Sequence, residues 1–571
     1  MPRTAAPPPE RTPAQDEPAW QGRPLVRAFG VTAVLSLVAS LLGLGRDLLL
    51  ARYFGASEDT DAFLVAWTVP ETAAPLLIDS AMPLLMMPAF STAIASRSSA
   101  TTADPVRDGA AEAADPVRVL VAATLPKLCL LLAAVSAATV FGAPSLVALL
   151  APGLPDPPLA VTCTRLTSLT VLAFGISGYL ASGLRAHQHF TAPATVYLAY
   201  NLGIVGLTAL GHDGLGVRAT ALGTAVGGLL MVAAVLPAFS RHCCRLTLSL
   251  GRLRSAVRRP GPAAAPGLQV MLPVVVFALS RQCQVYIERA LASPLNPGTI
   301  SHLNYAEKVA QMPMAMAVMI STVSLPVVAL AMAKGDVEHA RDRTEKDLQM
   351  VAGIALTATA FLAVCAPQLV TLLFQRGAFT ATDSAACAAV MRIYSLGLLG
   401  QALVGAVARP FFAARPVARC PSGGRSRLAG ADRAGWFPAL AMGTGLAVTV
   451  AIGILTAPEF GASGLAAGNA AGITLTAALL LGRLRSRGIP VRLPALLSVL
   501  GRLTAAAVCA AGAAALAVAT AGSDPLVAVL IGGAVTALAF GGSAWLLGVP
   551  VLRHALLSRV GNSAREDRGL R

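Results

Sequence analysis

The chain has 571 residues, 55% of them hydrophobic and 13% charged, with a mean hydropathy of +0.68 and a formal net charge of +16. Soluble domains carry about a quarter charged residues, so this composition excludes an ordinary soluble enzyme and a disordered chain. The basic residues sit in short clusters between apolar runs and form no single patch, which points to membrane topology and away from nucleic acid.

Residues 1–27 are rich in Pro, Ala and charge and cannot bury enough apolar surface to fold, so they read as a disordered cytoplasmic tail with no cleaved signal. About fourteen apolar segments follow, near 28–52, 62–93, 119–142, 160–185, 192–211, 216–239, 268–292, 301–332, 350–374, 384–413, 437–457, 460–482, 497–521 and 525–549. Backbone groups in lipid must be satisfied internally, and these segments are too long for barrel strands, so the fold class is an all-α polytopic membrane protein. Every second loop is basic: Arg97 to Arg118, Arg185, Arg241 to Arg259, Lys334 to Lys346, Arg415 to Arg433, and Arg483 to Arg492. The intervening loops are short and acidic or neutral, such as ASEDTD at 56–61 and SPLNPG at 293–298. The positive-inside rule then places both termini in the cytoplasm of a bacterial inner-membrane protein, which requires an even number of spans.

An internal repeat divides the chain. Ala143-Pro144 followed by SLVALL matches Ala366-Pro367 followed by QLVTLL, and GVRATALGTAVG at 216–227 matches GASGLAAGNAAG at 461–472. The offset grows by about 22 residues between the two matches, which locates an insert near 417–435. The expected organisation is a six-helix lobe at 28–240, a basic loop at 241–267, and a parallel six-helix lobe at 268–482. Two further helices at 496–549 and a basic tail at 550–571 complete it. Facing repeats of this kind frame a central site in many transporters.

Ionisable residues inside spans cost roughly 2.5–3.5 kcal/mol each on insertion scales, so each one needs a reason. Arg46-Asp47 lies well inside the first segment, read either as a self-satisfied pair or as a cavity-facing cation. Glu71 and Asp79 share one face of the second segment, which Pro70, Pro75, Pro83 and Pro88 interrupt; a break there must line a cavity or pack on protein. The seventh and eighth segments carry Arg281, Glu288, Arg289, Glu307 and Lys308, with Arg289 equally suited to the outer interface. Glu307 and Lys308 are adjacent and diverge by about 100° on a helix. Asp79, Glu71 and Glu288 are candidates for ion coupling. No nucleophile with a base, no phosphate loop and no spaced ligand set appears: His187, His189 and His242 lie near loops, and the nine cysteines follow no metal or disulfide pattern. Neither an enzyme nor a cofactor or metal is expected. Gly468-x-x-x-Gly472 reads as close helix packing.

LLGLGRDLLLARYFGASEDTDAFLVAW (41–67), LNYAEKVAQMPMAMAVMISTVSLPVVA (303–329) and LVTLLFQRGAFTATDSAACAAVMRIYSLGLLGQALVGAVARPFFA (369–413) resemble the MurJ/MviN family of lipid II flippases. The resemblance implies two lobes in a V that alternate access to move an undecaprenyl-pyrophosphate-linked peptidoglycan precursor outward, in contact with membrane lipids and cell-wall synthesis proteins. It also implies basic residues that pair with the pyrophosphate: Arg46 keeps the first helix's arginine, and Lys308 stands where the eighth helix usually has one. Ser40 and Ala74-Pro75 stand where further arginines are usual. Asp61 matches the family's TDAF aspartate, and Glu307 flanks Lys308, so both join the expected substrate site. Glu288 matches a carboxylate that serves some relatives in sodium binding, but the asparagine-rich partner in the eleventh helix is missing (MGTGLAVTVAIG). Two other readings stay open: export of another polyprenyl-linked glycan or amphiphilic metabolite, and a non-transporting membrane partner of cell-wall proteins.

Overall fold

The computed structural model describes residues 23–101, 115–244, 268–314, 328, 331, 336–413, 426–484 and 491–550, and among these it contains helices and no strands. Among the described residues eleven helices are long and apolar enough to cross a membrane, or twelve if the bent pair Ala381–Ser395 and Leu398–Ala408 is one span. Fourteen were expected. The other two expected segments, the seventh and eighth, are helical over Leu268–Ala292 and Thr299–Gln311, with 315–327 outside the described residues.

The first lobe consists of α1 (Arg23–Phe54), α2 (Glu58–Ala74), α3 (Met82–Thr101), α4 (Pro116–Phe141), α5 (Ala143–Leu150), α6 (Pro157–Ser168), α7 (Thr170–Ala186), α8 (Thr191–Ala194), α9 (Val196–Leu215) and α10 (Val217–His242). The proline-rich second segment does not break. A π-helical stretch, Pro75–Ala81, joins α2 to α3 and absorbs the missing proline N–H within a continuous helix. The second lobe consists of α11 (Leu268–Ala292), α12 (Thr299–Gln311), α13 (Val337–Phe374), α14 (Ala381–Ser395), α15 (Leu398–Ala413), α16 (Ser426–Phe460) and α17 (Ala462–Leu484). Then come α18 (Leu493–Thr520) and α19 (Pro525–Leu546), which pack on α13. They share a core with the second lobe through Leu348, Leu356, Leu496, Leu503 and Phe540.

The second half of the insert expected near 417–435 is helical. Residues from Ser426 are helical and run straight into the eleventh segment, where the stretch RLAGADRAG holds no proline to interrupt the helix. Residues 417–425 lie outside the described residues, as do 1–22 and 551–571 of the two tails and 245–267 of the basic loop. The repeat is matched unevenly. Gly142 ends α4 and Pro144 starts a separate α5, whereas α13 runs 38 residues straight through Pro367. The other match is close: Gly216 at φ +56° and Gly461 at φ +54° turn the chain into α10 and α17. Both are left-handed positions that glycine adopts without strain.

Lipid tails are as apolar as leucine, so helices in a bilayer associate through close packing and small residues. A Cβ on Gly472 would meet the Gly445 carbonyl and Thr449 Oγ1, so α16 and α17 touch backbone to backbone; Gly203 and Gly227 do the same for α9 and α10. Large apolar side chains such as Leu37, Leu131, Leu210, Leu455, Leu516 and Leu538 point outward, where lipid replaces water. Gly472→Val should therefore destabilise the detergent-solubilised protein by about 1–3 kcal/mol through overpacking. Gly482→Ala, whose new Cβ meets no atom within 4 Å, should leave thermal unfolding unchanged or raised.

Candidate functional site

The two lobes meet on one side of the molecule, at the loops around residues 55–61, 151–154, 293–298 and 375–379. Asp61, at the start of α2, accepts hydrogen bonds from the backbone N–H groups of Gly298 (2.8 Å) and Ser301 (2.8 Å) and from the Ser301 hydroxyl (2.5 Å). It thus caps α12 of the other lobe, supplying the anion that a helix N-terminus favours. The Ala378 N–H donates to the Arg52 carbonyl at 2.8 Å, and the Gly153 N–H donates to Ser293 Oγ at 3.1 Å. Tyr305, Phe374 and Phe379 cluster behind them with ring centroids 5.1–5.8 Å apart, inside a core that runs through both lobes.

From this closed side a cavity of about 620 Å³ extends toward Thr32 on α1 and Arg185 at the end of α7. Its wall comes mostly from α1, α2 and α9, with Lys308 from the second lobe. Arg46 lies on it, forked onto Asp47 (2.8 and 3.0 Å) and stacked over the Trp67 ring at 4.2 Å. Lys308 Nζ donates to Glu71 Oε1 at 2.7 Å, and Arg289 Nη2 donates to Glu71 Oε2 at 2.7 Å. Arg289 also donates to Thr68, Tyr286 bonds Thr72, and Gln282 donates to the Glu71 carbonyl, so one face of α2 is tied to α11 and α12. Asp79 lies nearer the mouth and accepts from the Tyr197 hydroxyl at 2.8 Å. Ser40, Ala74 and Pro75 line the same cavity, with Ser40 Oγ donating to its own helix at Ser36.

A second polar cluster sits inside the second lobe, on α11, α12 and α17. Glu288 is buried and accepts from Asn469, and Glu307 accepts from Gln311 Nε2 at 2.5 Å. The 100° divergence on the helix turns Glu307 into its own lobe while Lys308 faces the cavity.

The structure therefore brings together Arg46, Lys308, Glu71 and Asp79 of the expected site residues. It does not place Asp61, Glu307 or Glu288 on the cavity: Asp61 is a buried cap between the lobes, and the two glutamates belong to the second cluster. Arg289 is buried, bonded to Glu71 and Thr68 of the first lobe. Sequence reasoning missed Asn469, whose signal was a lone asparagine in an apolar helix, and it missed Trp67, Tyr200 and Asn201 on the cavity wall. It also missed a cluster at the ends of α7 and α10. There the His189 and His242 rings meet at 3.8 Å between centroids, tilted by 48°, and Cys243 Sγ lies 3.4 Å from His187 Nδ1. Burial, with His242 and His187 adding to it, lowers the His189 pKa. Among the described residues no three His, Cys, Asp or Glu side chains are placed to hold a metal ion.

The family model "Lipid II flippase MurJ" matches residues 50–420, nearly two thirds of the chain. The lipid II flippase MurJ of Burkholderia cenocepacia is 28% identical over 502 residues, covering 86% of this chain and 89% of that protein. The probable lipid II flippase MurJ of Rhizobium meliloti is 26% identical over 501 residues, covering 86% of each. Among solved structures, a lipid II flippase MurJ in an inward closed conformation shares the fold with a TM-score of 0.65 at 18% identity, over 89% of this chain and 97% of that one. An inward-facing multidrug transporter of the MATE family reaches 0.57 at 14% identity, over 82% and 98%.

The Asp61 cap generates a direct expectation. Asp61→Ala removes three hydrogen bonds and leaves the α12 N-terminus unpaired, which should cost about 1–3 kcal/mol. A lowered unfolding temperature, with weaker cross-linking between cysteines placed at Ser57 and Asn296, is the outcome to measure.

Proposed function

The chain belongs to the MurJ family of lipid II flippases, and from that premise we propose that it carries a polyprenyl-diphosphate-linked peptidoglycan precursor across the membrane by alternating access. It is a multi-pass transporter. The observation that carries the site assignment is that Arg46 and Lys308, cations of opposite lobes, line one cavity that is closed at the Asp61 end. A diphosphate there offsets the desolvation of both cations through charge-assisted hydrogen bonds. The cavity volume of about 620 Å³ suits the diphosphate and the sugar next to it, while the polyprenyl tail stays in lipid. With the basic loops in the cytoplasm, the open mouth near Arg185 faces inward and the Asp61 side faces outward. Rocking of one lobe on the other then exposes the bound headgroup to the outer face.

A second reading, export of another polyprenyl-linked amphiphile, is favoured by the neutral Ser40, Ala74 and Pro75 on the cavity wall. Rescue of a strain lacking its own lipid II flippase separates the two.

In that assay, Arg46→Ala and Lys308→Ala should each reduce transport about tenfold or more at unchanged expression, and Lys308→Arg should retain it. Full rescue by the double alanine variant would remove both residues from the site. For topology, a cysteine at Thr380 in a cysteine-free background should react with an impermeant reagent added to intact cells, and one at Arg241 should not. The reverse pattern overturns the orientation.

A further inference from the structure

We propose that Glu71 is a resident counter-anion of the cavity, which substrate displaces from Lys308 and which thereby selects headgroups carrying more than one negative charge; this rests on the transport reading above. Glu71 belongs to the first lobe, yet both its carboxylate oxygens are taken by cations of the second: Lys308 at Oε1 and Arg289 at Oε2, each at 2.7 Å. The two cations are not equivalent. Arg289 is 4% exposed, is also bonded to Thr68, and does not line the cavity. The Lys308 side chain is 26% exposed, lies on the cavity wall, and among the described residues has no other hydrogen-bond partner.

An exchange is therefore built in. Lys308 can swing from Glu71 to an anion in the cavity, and Glu71 is not left as an unpaired buried carboxylate, because Arg289 keeps it. The exchange sets a threshold. A headgroup with a single negative charge offers Lys308 no more than Glu71 already does, so it gains only the contact with Arg46. A diphosphate diester carries two charges, one for each cation, and in a medium of low dielectric the second charge decides the balance. Phospholipids with one phosphodiester are abundant in the surrounding membrane and would otherwise fill a cationic cavity open to it. Glu71 excludes them by competition, without steric discrimination.

The test compares two lipids that share tail and sugar, polyprenyl-diphosphoryl-N-acetylglucosamine and polyprenyl-phosphoryl-N-acetylglucosamine, binding to the purified full chain in nanodiscs. The unsubstituted chain should prefer the diphosphoryl lipid by about tenfold or more. Glu71→Gln should narrow that preference to about threefold or less, chiefly because the monophosphoryl lipid gains affinity. Glu71→Asp keeps the charge and should keep most of the preference. Lys308→Gln is the second route should Glu71→Gln fail to fold: it removes the exchanging cation and should also erase the preference. An undiminished preference in folded Glu71→Gln, or in Lys308→Gln, overturns the proposal alone. An unsubstituted chain that binds neither glycolipid better than phosphatidylglycerol overturns the transport reading and the proposal with it.

Discussion

The bond that the arrangement of the two lobes depends on is the pair of salt bridges made by Glu71. Lipid offers a buried charge no partner, so Arg289 and Lys308 in the second lobe need an anion, and the first lobe supplies it. Removing one member of a buried pair costs on the order of 3–5 kcal/mol because the other is left uncompensated. That penalty holds α2 against α11 and α12 at one register. The Thr68, Thr72 and Gln282 contacts only fit at that register, and so does the Asp61 cap about two to three turns away along α2. The Asp61 cap and the Glu71 bonds thus support one another in this arrangement of the lobes.

Each lobe is closely packed inside. Glycines bring α9 against α10 and α16 against α17 at backbone distance, where a single added carbon collides with a carbonyl. The C-terminal helices α18 and α19 stiffen the second lobe further through their shared core with α13. Between the lobes, glycines again bring backbone close at the Asp61 end, Gly55 against Ala378, Gly298 against Ala56 and Gly377 against Arg52. Beside the cavity the lobes are joined by the directional bonds of Glu71, Thr68 and Thr72, and polar bonds can be exchanged for others at modest net cost.

The helical membrane fold was legible from the length and recurrence of the apolar segments, and Arg46 and Lys308 were singled out by the cost of charge in lipid together with the motifs that carry the family resemblance. What local sequence could not show was pairing across the lobes. Arg46 and Lys308 had neighbouring acids in Asp47 and Glu307, and the structure keeps the first pair and dissolves the second: Lys308 reaches 237 residues back along the chain to Glu71. The same limit hid the role of Asp61. A TDAF motif says nothing about the helix that its aspartate caps, because that helix belongs to the other repeat. The proline-rich second segment was misread for a different reason: proline removes one hydrogen bond, and a π-helical stretch reroutes it locally without a break.

The charge balance of the cavity follows from these pairings. Arg46, Lys308 and Arg185 on its wall are set against Glu71 and Asp79, with Ser40, Ala74 and Pro75 adding nothing. Arg46 is oriented by its fork on Asp47 and by the Trp67 face, so its direction is set before any ligand arrives. Lysine has no fork, and an ammonium on four methylenes takes its direction from whatever anion is near. Glu71, itself held by Arg289, is what keeps that ammonium at the cavity wall. A cavity with fewer fixed cations thus remains directed at an anionic headgroup, because one cation is pre-oriented and the other is held ready on an exchangeable partner.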